Sequence, residues 1–326
     1  MPNFNEDTTA LETVKDLNLT GYKVIVTGSS SGLGVETVRA LAKAGASCVM
    51  CARDVNKAKD VAHDIIKTTG NKNIQIEKLE LDSIESVNGF VDRFLSTKSP
   101  VHILINNAGV MATPKSFTRD GFETQFGVNY MGHFVLTIGL LPALKQAAKL
   151  TGKYSRVINL SSTGHVMSNV DFNDVNFKHK EYDEFVAYGQ SKTANMLFSI
   201  SFTKRYAHEG IVSNAVQPGA IMTNLQRHMS KAEWIKRGWI DENGKIAWKF
   251  RSIEAGAATS VWAATSPDLE GIGGLCLENC TISTKESNMS NILRNMFGYM
   301  DYAVDENNAE KLWKLSEDLL KKRQSK

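Results

Sequence analysis

The run Tyr188-Gly189-Gln190-Ser191-Lys192 sets a phenol and an ammonium four residues apart on a helical pattern, so both fall on one helix face. Such a pair can move a proton at an alcohol or carbonyl oxygen. Oxidising an alcohol requires its hydroxyl proton to leave as hydride departs from the carbon. Tyrosine has an ordinary pKa of about 10, so bringing it towards 7 takes about three units, on the order of 4 kcal/mol. A neighbouring ammonium stabilises the phenolate and would supply that push. The tuned phenol then serves as base or acid according to direction. The spacing alone carries little weight, because most Tyr/Lys pairs at this spacing are solvated helix faces. Context comes from Ile158-Asn159-Leu160-Ser161-Ser162, an apolar strand pattern that ends in two serines. A hydroxyl there can hold a substrate oxygen near the tyrosine, and it helps most when charge develops on that oxygen. Either Ser161 or Ser162 fits that part.

A second chemistry lies nearer the start. Thr27-Gly28-Ser29-Ser30-Ser31-Gly32-Leu33-Gly34 follows an apolar run and opens a helical one. Its glycines are spaced GxxxGxG, not GxGxxG, but the physics is shared. Glycine allows a tight turn and close backbone approach, and a helix N-terminus attracts a pyrophosphate. Dinucleotide contacts are therefore expected from Gly28, Ser29, Ser31, Gly32, Leu33 and Gly34. About 20 residues further on, an NAD binder places an acid on the ribose hydroxyls. This chain has Cys51-Ala52-Arg53-Asp54 there. An acid would repel a 2′-phosphate, whereas an arginine can pair with it. Arg53 thus points to NADP(H), with NAD(H) the alternative that Asp54 keeps open.

These parts need a frame. Val/Ile-rich runs at 23–27, 47–51, 74–79, 101–105, 156–160 and 211–217 lack polar alternation, as strands buried on both faces do. Helical patterns at 33–44, 55–68, 84–96 and 187–208 alternate with them. Repeated strand–helix units predict an α/β fold, a doubly wound parallel sheet between two helical layers, three layers in all. Right-handed crossovers then bring the strand C-termini to one edge, where ligands bind near the reversal of strand order. With no linker or repeat, residues 1–326 read as a single domain with its core at about 20–280. Residues 168–185 read as a polar surface loop, 223–253 as an aromatic, basic lid over substrate, and 307–322 as a packed terminal helix.

Bulk properties exclude other classes. Of 326 residues 42% are hydrophobic, enough for a sizeable core, and the net charge of +3 is not gathered into blocks, so nucleic acid is not an expected partner. The seven histidines are scattered without HExxH, and no metal site is expected. Cys48 and Cys51 fall on a strand and read as buried thiols in a reducing, intracellular setting, with the cytoplasm the expected location. The start MPNFNEDTTA does not read as a signal peptide. No apolar run reaches the length of a transmembrane span; the most apolar, 132–144, reads as a core helix. Trp234, Trp239, Trp248 and Phe250 read as aromatics beside a substrate, with peripheral membrane contact as the alternative.

Residues 27–34, Asn106-Asn107-Ala108-Gly109, Ser162, Tyr188 with Lys192, and Pro218-Gly219 together resemble, in content and order, the short-chain dehydrogenase/reductase family across residues 17–322. Within it, Val212-Ser213-Asn214-Ala215-Val216-Gln217-Pro218-Gly219, Leu269-Glu270-Gly271-Ile272-Gly273-Gly274, Asp7-Thr8-Thr9-Ala10 and Leu312-Trp313-Lys314-Leu315-Ser316-Glu317 are most similar to retinol dehydrogenases and to the dehydrogenase part of the WW-domain-containing oxidoreductase. The resemblance implies a Rossmann-type fold and an NAD(P)-dependent oxidoreductase acting on CH–OH groups, in the direction of reduction. It implies a small apolar alcohol or carbonyl substrate, retinoid, steroid or lipid-like. It picks Ser162 over Ser161, and gives Asn129 a water that relays protons by way of Lys192. Asp82, ending the third strand, would sit by the adenine. Asn106, Ala108 and Gly109 would join the cofactor site, with bracing of the sheet an equal role for Asn106. Pro218, Gly219, Ile221 and Thr223 would contact the nicotinamide side, and Gln217 stands where several close relatives carry histidine. A homodimer through helices at 119–144 and 187–208 is also implied, unless the long C-terminal region blocks it. The rival function is a cofactor-binding regulatory or scaffolding protein on the same fold.

Overall fold

Along β1 (Lys23–Thr27) the side chains divide between two cores, Val24 and Val26 on one face and Ile25 on the other. The same division recurs along β2 (Ser47–Ala52), where Cys48 and Met50 enter one core and Val49 and Cys51 the other. A strand apolar on both faces must be covered on both, and that fixes three layers. The remaining strands are β3 (Ile74–Lys78), β4 (Ile103–Asn106), β5 (Ser155–Leu160), β6 (Ile211–Gln217), β7 (Cys276–Glu278) and β8 (Thr281–Ile282). In this computed structural model, which describes residues 4–324, they form one sheet in the order β3-β2-β1-β4-β5-β6-β7-β8. The fold is the expected α/β, Rossmann-type sheet. Helices Ile84–Ser96, Gly132–Gly139, Glu184–Tyr206 and Glu306–Gln324 cover one face. Helices Leu33–Lys43, Val55–Thr69 and Ile253–Thr265 cover the other. Strand order reverses between β1 and β4, so a crevice opens above their C-terminal ends.

Several expectations are corrected. Pairing is parallel through β7, but β8 runs antiparallel to it. Strands of three and two residues are too short to show periodicity. Their turn holds Asn279 and Cys280 at φ of 52° and 53°, the backbone of a type I′ hairpin without its usual glycine. The third strand ends at Lys78, so Asp82 lies in the turn beyond it and not at the strand end. Residues 168–183 form a loop without regular structure, yet Val170, Val175 and Phe177 are buried, so the segment is no mere surface loop. The helix begins at Glu184, capped by Asp183, whose carboxylate accepts from the amides of Phe185 and Val186. The apolar stretch 132–144 breaks at Leu140 into two helices. No single helix among the described residues is long and apolar enough to cross a membrane. The one bent pair, Thr124–Gly139 and Leu141–Thr151, turns by 55° between its halves. All four cysteines are buried and free. Of the start MPNFNEDTTA, the first three residues lie outside the described residues.

Candidate active site

A cleft of about 970 Å³ lies over the C-terminal ends of β1, β4 and β5. A smaller one of about 370 Å³ at the opposite sheet edge contains none of the candidate catalytic or cofactor-binding residues. Thr27 ends β1, and the chain must turn at once into the helix Leu33–Lys43. Gly28 takes φ of 65° and Gly32 φ of 59°, a region that favours glycine. A methyl at Gly28 would sit 2.7 Å from Ala108 Cα. Gly28, Ser31, Gly32 and Leu33 line the cleft, as does Ser30, which sequence reasoning left out. Ser29 and Gly34 are not on its wall. The Ser29 hydroxyl donates inward to the Val26 carbonyl, and a methyl at Gly34 would strike the Gly28 carbonyl at 2.5 Å. Both shape the turn from behind. Arg53 is exposed on the cleft wall. Asp54 caps the helix Val55–Thr69 by accepting from the Lys57 amide at 3.0 Å, so its carboxylate is committed away from its neighbour. Asp82 lines the same end.

Asn106 is not on the wall either. Its amide donates to Thr137 Oγ1 at 3.0 Å and Asn159 Oδ1 at 2.8 Å, so it braces the sheet to a helix. The adjacent Asn107 lines the cleft and donates to the Thr27 carbonyl at 2.7 Å, beside Ala108 and Gly109. At the far wall stand Pro218, Gly219, Ile221 and Thr223. Gly219 has φ of 91° and packs on the Arg251 guanidinium.

Ser162, Tyr188 and Lys192 converge between these walls. Ser161 is turned away, its hydroxyl donating to the Lys192 carbonyl at 2.8 Å, which leaves Ser162 facing the tyrosine. A methyl at Gly164 would lie 2.8 Å from Tyr188 Cε1 and 3.4 Å from Ser162 Oγ, so glycine lets the two approach. Lys192 Nζ donates to the Leu160 carbonyl at 2.9 Å and stands 5.5 Å from the Tyr188 ring centroid. Asn129 sits in the π-turn Gly127–Met131. Its amide oxygen accepts from the Val110 amide at 2.8 Å, and its nitrogen donates to Ser191 Oγ at 2.9 Å. Single π-turns recur at functional sites.

The expected electrostatics are reversed in the protein's own groups. Burial pushes the Tyr188 phenol up to about 12, with hydrogen bonding to Ser162 pulling the other way. Burial likewise pushes Lys192 down to about 7. Desolvation, which disfavours whichever form is charged, is the leading cause of both shifts. His165, in the turn after β5, is buried. Its Nδ1 donates to the Ser162 carbonyl at 2.9 Å, and its Nε2 accepts from the Met300 amide at 3.1 Å.

Glycine-rich turn, crevice and Ser/Tyr/Lys cluster together define an oxidoreductase that works with a nicotinamide dinucleotide. The family model described as short chain dehydrogenase matches residues 22–234, and the chain belongs to that family, NAD(P)-dependent enzymes acting on alcohols. It is 36% identical over 310 residues to retinol dehydrogenase 12 of Mus musculus, covering 94% of this chain and 88% of the relative. An uncharacterized Mycobacterium paratuberculosis protein superposes with a TM-score of 0.69 at 30% identity, covering 94% of this chain and 97% of that one. The Pseudomonas aeruginosa RhlG/NADP active-site complex superposes at 0.61 with 25% identity, covering 80% and 95%.

Proposed function

We propose that the chain reduces the carbonyl group of an apolar substrate, and oxidises the matching alcohol, with NADP(H) as its preferred cofactor. The observation that carries this is the meeting of Ser162 and Tyr188, with Lys192 behind them, in one cleft with a glycine-rich helix entry. Those residues suit a dinucleotide. The backbone of Gly28, Ser31, Gly32 and Leu33, at a helix N-terminus, would hold the pyrophosphate. Asp82 would lie by the adenine, and Asn107, Ala108, Gly109, Pro218, Gly219, Ile221 and Thr223 along the rest. When bound, the cofactor supplies or accepts the hydride.

The remaining work belongs to side chains of this chain. Ser162 donates a hydrogen bond to the substrate oxygen, and this strengthens as negative charge grows there. Tyr188, protonated at rest, gives its proton to that oxygen in reduction. Lys192 orients the nicotinamide ribose and, once charged, lowers the phenol for the reverse step. Asn129 holds Val110 and Ser191, fixing the helix turn from which Lys192 projects. An apolar substrate fits the cleft's other end, where Met111, Phe185, Leu225, Trp239 and Trp248 form the walls.

The preference for NADP(H) rests on Arg53, exposed at the adenosine end and without an ion pair to Asp54. Titrating NADPH and NADH by fluorescence tests it. NADPH is expected to bind at least about tenfold more tightly, a difference of about 1.4 kcal/mol, and Arg53→Ala should erase that difference. Equal affinities in the wild type would remove the basis for the preference. Tyr188→Phe should cost at least about a hundredfold in turnover, as the loss of a general acid does.

A further inference from the structure

β6 and β7 end side by side at Gln217 and Glu278, which pair in register. Both side chains are buried, and both hold the same later segment. Glu278 Oε1 accepts from the Gly298 amide at 2.7 Å and from the Ser283 hydroxyl. Gln217 donates to Glu278 Oε2 at 3.1 Å and to the Gly298 carbonyl at 3.1 Å. Two residues on, the Met300 amide donates to His165 Nε2, and the Tyr302 hydroxyl donates to the His165 carbonyl at 2.9 Å. Residues 284–300 are therefore a strap pinned at its far end to two strand termini and to the turn after β5.

The strap carries the short helix Met289–Asn295, and after it Met296 takes φ of 50° and ψ of 37°. A left-handed conformation is unfavourable for a residue with a side chain and persists where its surroundings dictate it. Here Thr163 Oγ1 lies 3.7 Å from Met296 Sδ, one residue from Ser162. Leu293 and Met296 line the same cleft as Ser162 and Tyr188, and as the lid residues Leu225 and Trp239.

We infer that Met296 is a specificity-determining residue, limiting how much bulk the reacting carbon can carry on the strap side of the cleft. The inference rests on the reading of the cleft as a carbonyl reductase site. The lid is built from loop, a three-residue 3₁₀ turn and a six-residue helix, but the strap is fastened by buried side chains at Glu278, Gln217 and His165, so its side of the cleft yields least. Substrates slim beside the reacting carbon pass, and those branched there meet the methionine.

The test compares decanal with cyclododecanone, in turnover with NADPH and in quenching of the cleft tryptophans Trp239 and Trp248. Met296→Gly suits a φ of 50° and removes the side chain without asking the backbone to change. It should raise kcat/KM for cyclododecanone relative to decanal by about tenfold or more, the scale on which a small change in apolar pocket volume discriminates. Met296→Phe should move the ratio the other way. Met289→Ala, on the exposed face of the same helix, should leave it within about twofold. A Met296→Gly ratio within about twofold of wild type would overturn the inference. If neither compound turns over in the wild type, the reductase reading fails. The binding ratio then decides the strap's role alone, an unchanged ratio refuting it and a shift of about tenfold sustaining it.

Discussion

A phenol buried beside Ser162, with its pKa pushed up to about 12, keeps its proton through the neutral range. The proposed reduction needs that protonated form, so the resting residue already holds the proton it would give. Oxidation needs the phenolate, and burial opposes it. What the site lacks for that direction is positive charge, since Lys192 is itself pushed down to about 7. The oxidised nicotinamide ring carries such a charge, and the reduced ring does not. Phenolate absorbance, taken as wild type minus Tyr188→Phe, should therefore be absent below about pH 9 in the protein alone and with NADPH, and appear there with NADP⁺. A Tyr188 phenolate below that pH without cofactor would mean that burial is not what sets its protonation. Position matters as much as charge. A methyl at Gly164 would press on the Tyr188 ring at 2.8 Å. Gly164→Ala is expected to lower kcat/KM about a hundredfold by displacing the phenol, with NADPH affinity unchanged. Unimpaired turnover would show that the ring's placement has slack.

Elements are tied to one another by buried polar groups at their ends. His133, on the helix Gly132–Gly139, stands 3.0 Å through Nδ1 from the Asn129 carbonyl. A carbonyl can only accept, so Nδ1 carries the proton and Nε2 accepts from Thr27 Oγ1 at 2.9 Å. Thr27 Oγ1 in turn accepts from the amides of Asn107 and Ala108. One neutral imidazole thus joins the β1 turn, the β4 turn and the π-turn of Asn129. Burial pushes its pKa down to about 4 from 6.5. The unfolded chain therefore binds a proton in that window that the folded chain refuses, and stability must fall as pH drops from 6.5 towards 4. The histidine's share is on the order of 3 kcal/mol. Glu278, pushed up to about 7, acts with the opposite sign, so the clean reading is the difference between variants. Denaturation of His133→Gln from pH 7 to 4 should show a shallower loss than wild type; an equal slope would place the titration elsewhere. This brace was not legible in the sequence, where His133 is one scattered histidine. Strand–helix periodicity and the glycine turn were legible because each is local. Ser29 and Gly34 were assigned to the cofactor wall because a motif does not say which side of a turn a residue faces, and of the two roles open to Asn106 its hydrogen bonds carry the bracing one. The strap at 284–300 left no signal, since it is held by single side chains at Gln217, Glu278 and His165, distant in sequence and without periodicity.

At the scale of the whole molecule, the C-terminal helix Glu306–Gln324 occupies the face that the family resemblance offered for a homodimer. Trp313 lies against Phe134 at 5.2 Å and Phe198 at 6.0 Å, drawing on both of the helices expected to pair between chains. Tyr130 and Ser316 share a hydrogen bond of 2.7 Å beneath it. Arg205 lies 4.2 Å over the Trp313 ring and pairs with Glu310 at 2.7 Å. A surface cannot be both the seat of a chain's own helix and a partner's interface. Light scattering should therefore give a single-chain mass of 36.0 kDa at micromolar concentration, and a stable dimer would require another face. The same contacts make the helix part of the core. Trp313 is 5% exposed, so Trp313→Ala should cost about 3 to 5 kcal/mol through lost burial and the cavity left between Phe134 and Phe198. The measurement is a denaturant midpoint, which should fall with the slope unchanged if the helix melts together with the sheet. A second, earlier transition would instead mean that the helix detaches on its own, uncovering the Phe134–Phe198 face. Association should then rise with protein concentration across that first transition. A midpoint within about 1 kcal/mol of wild type would contradict the burial on which the blocked-face argument stands.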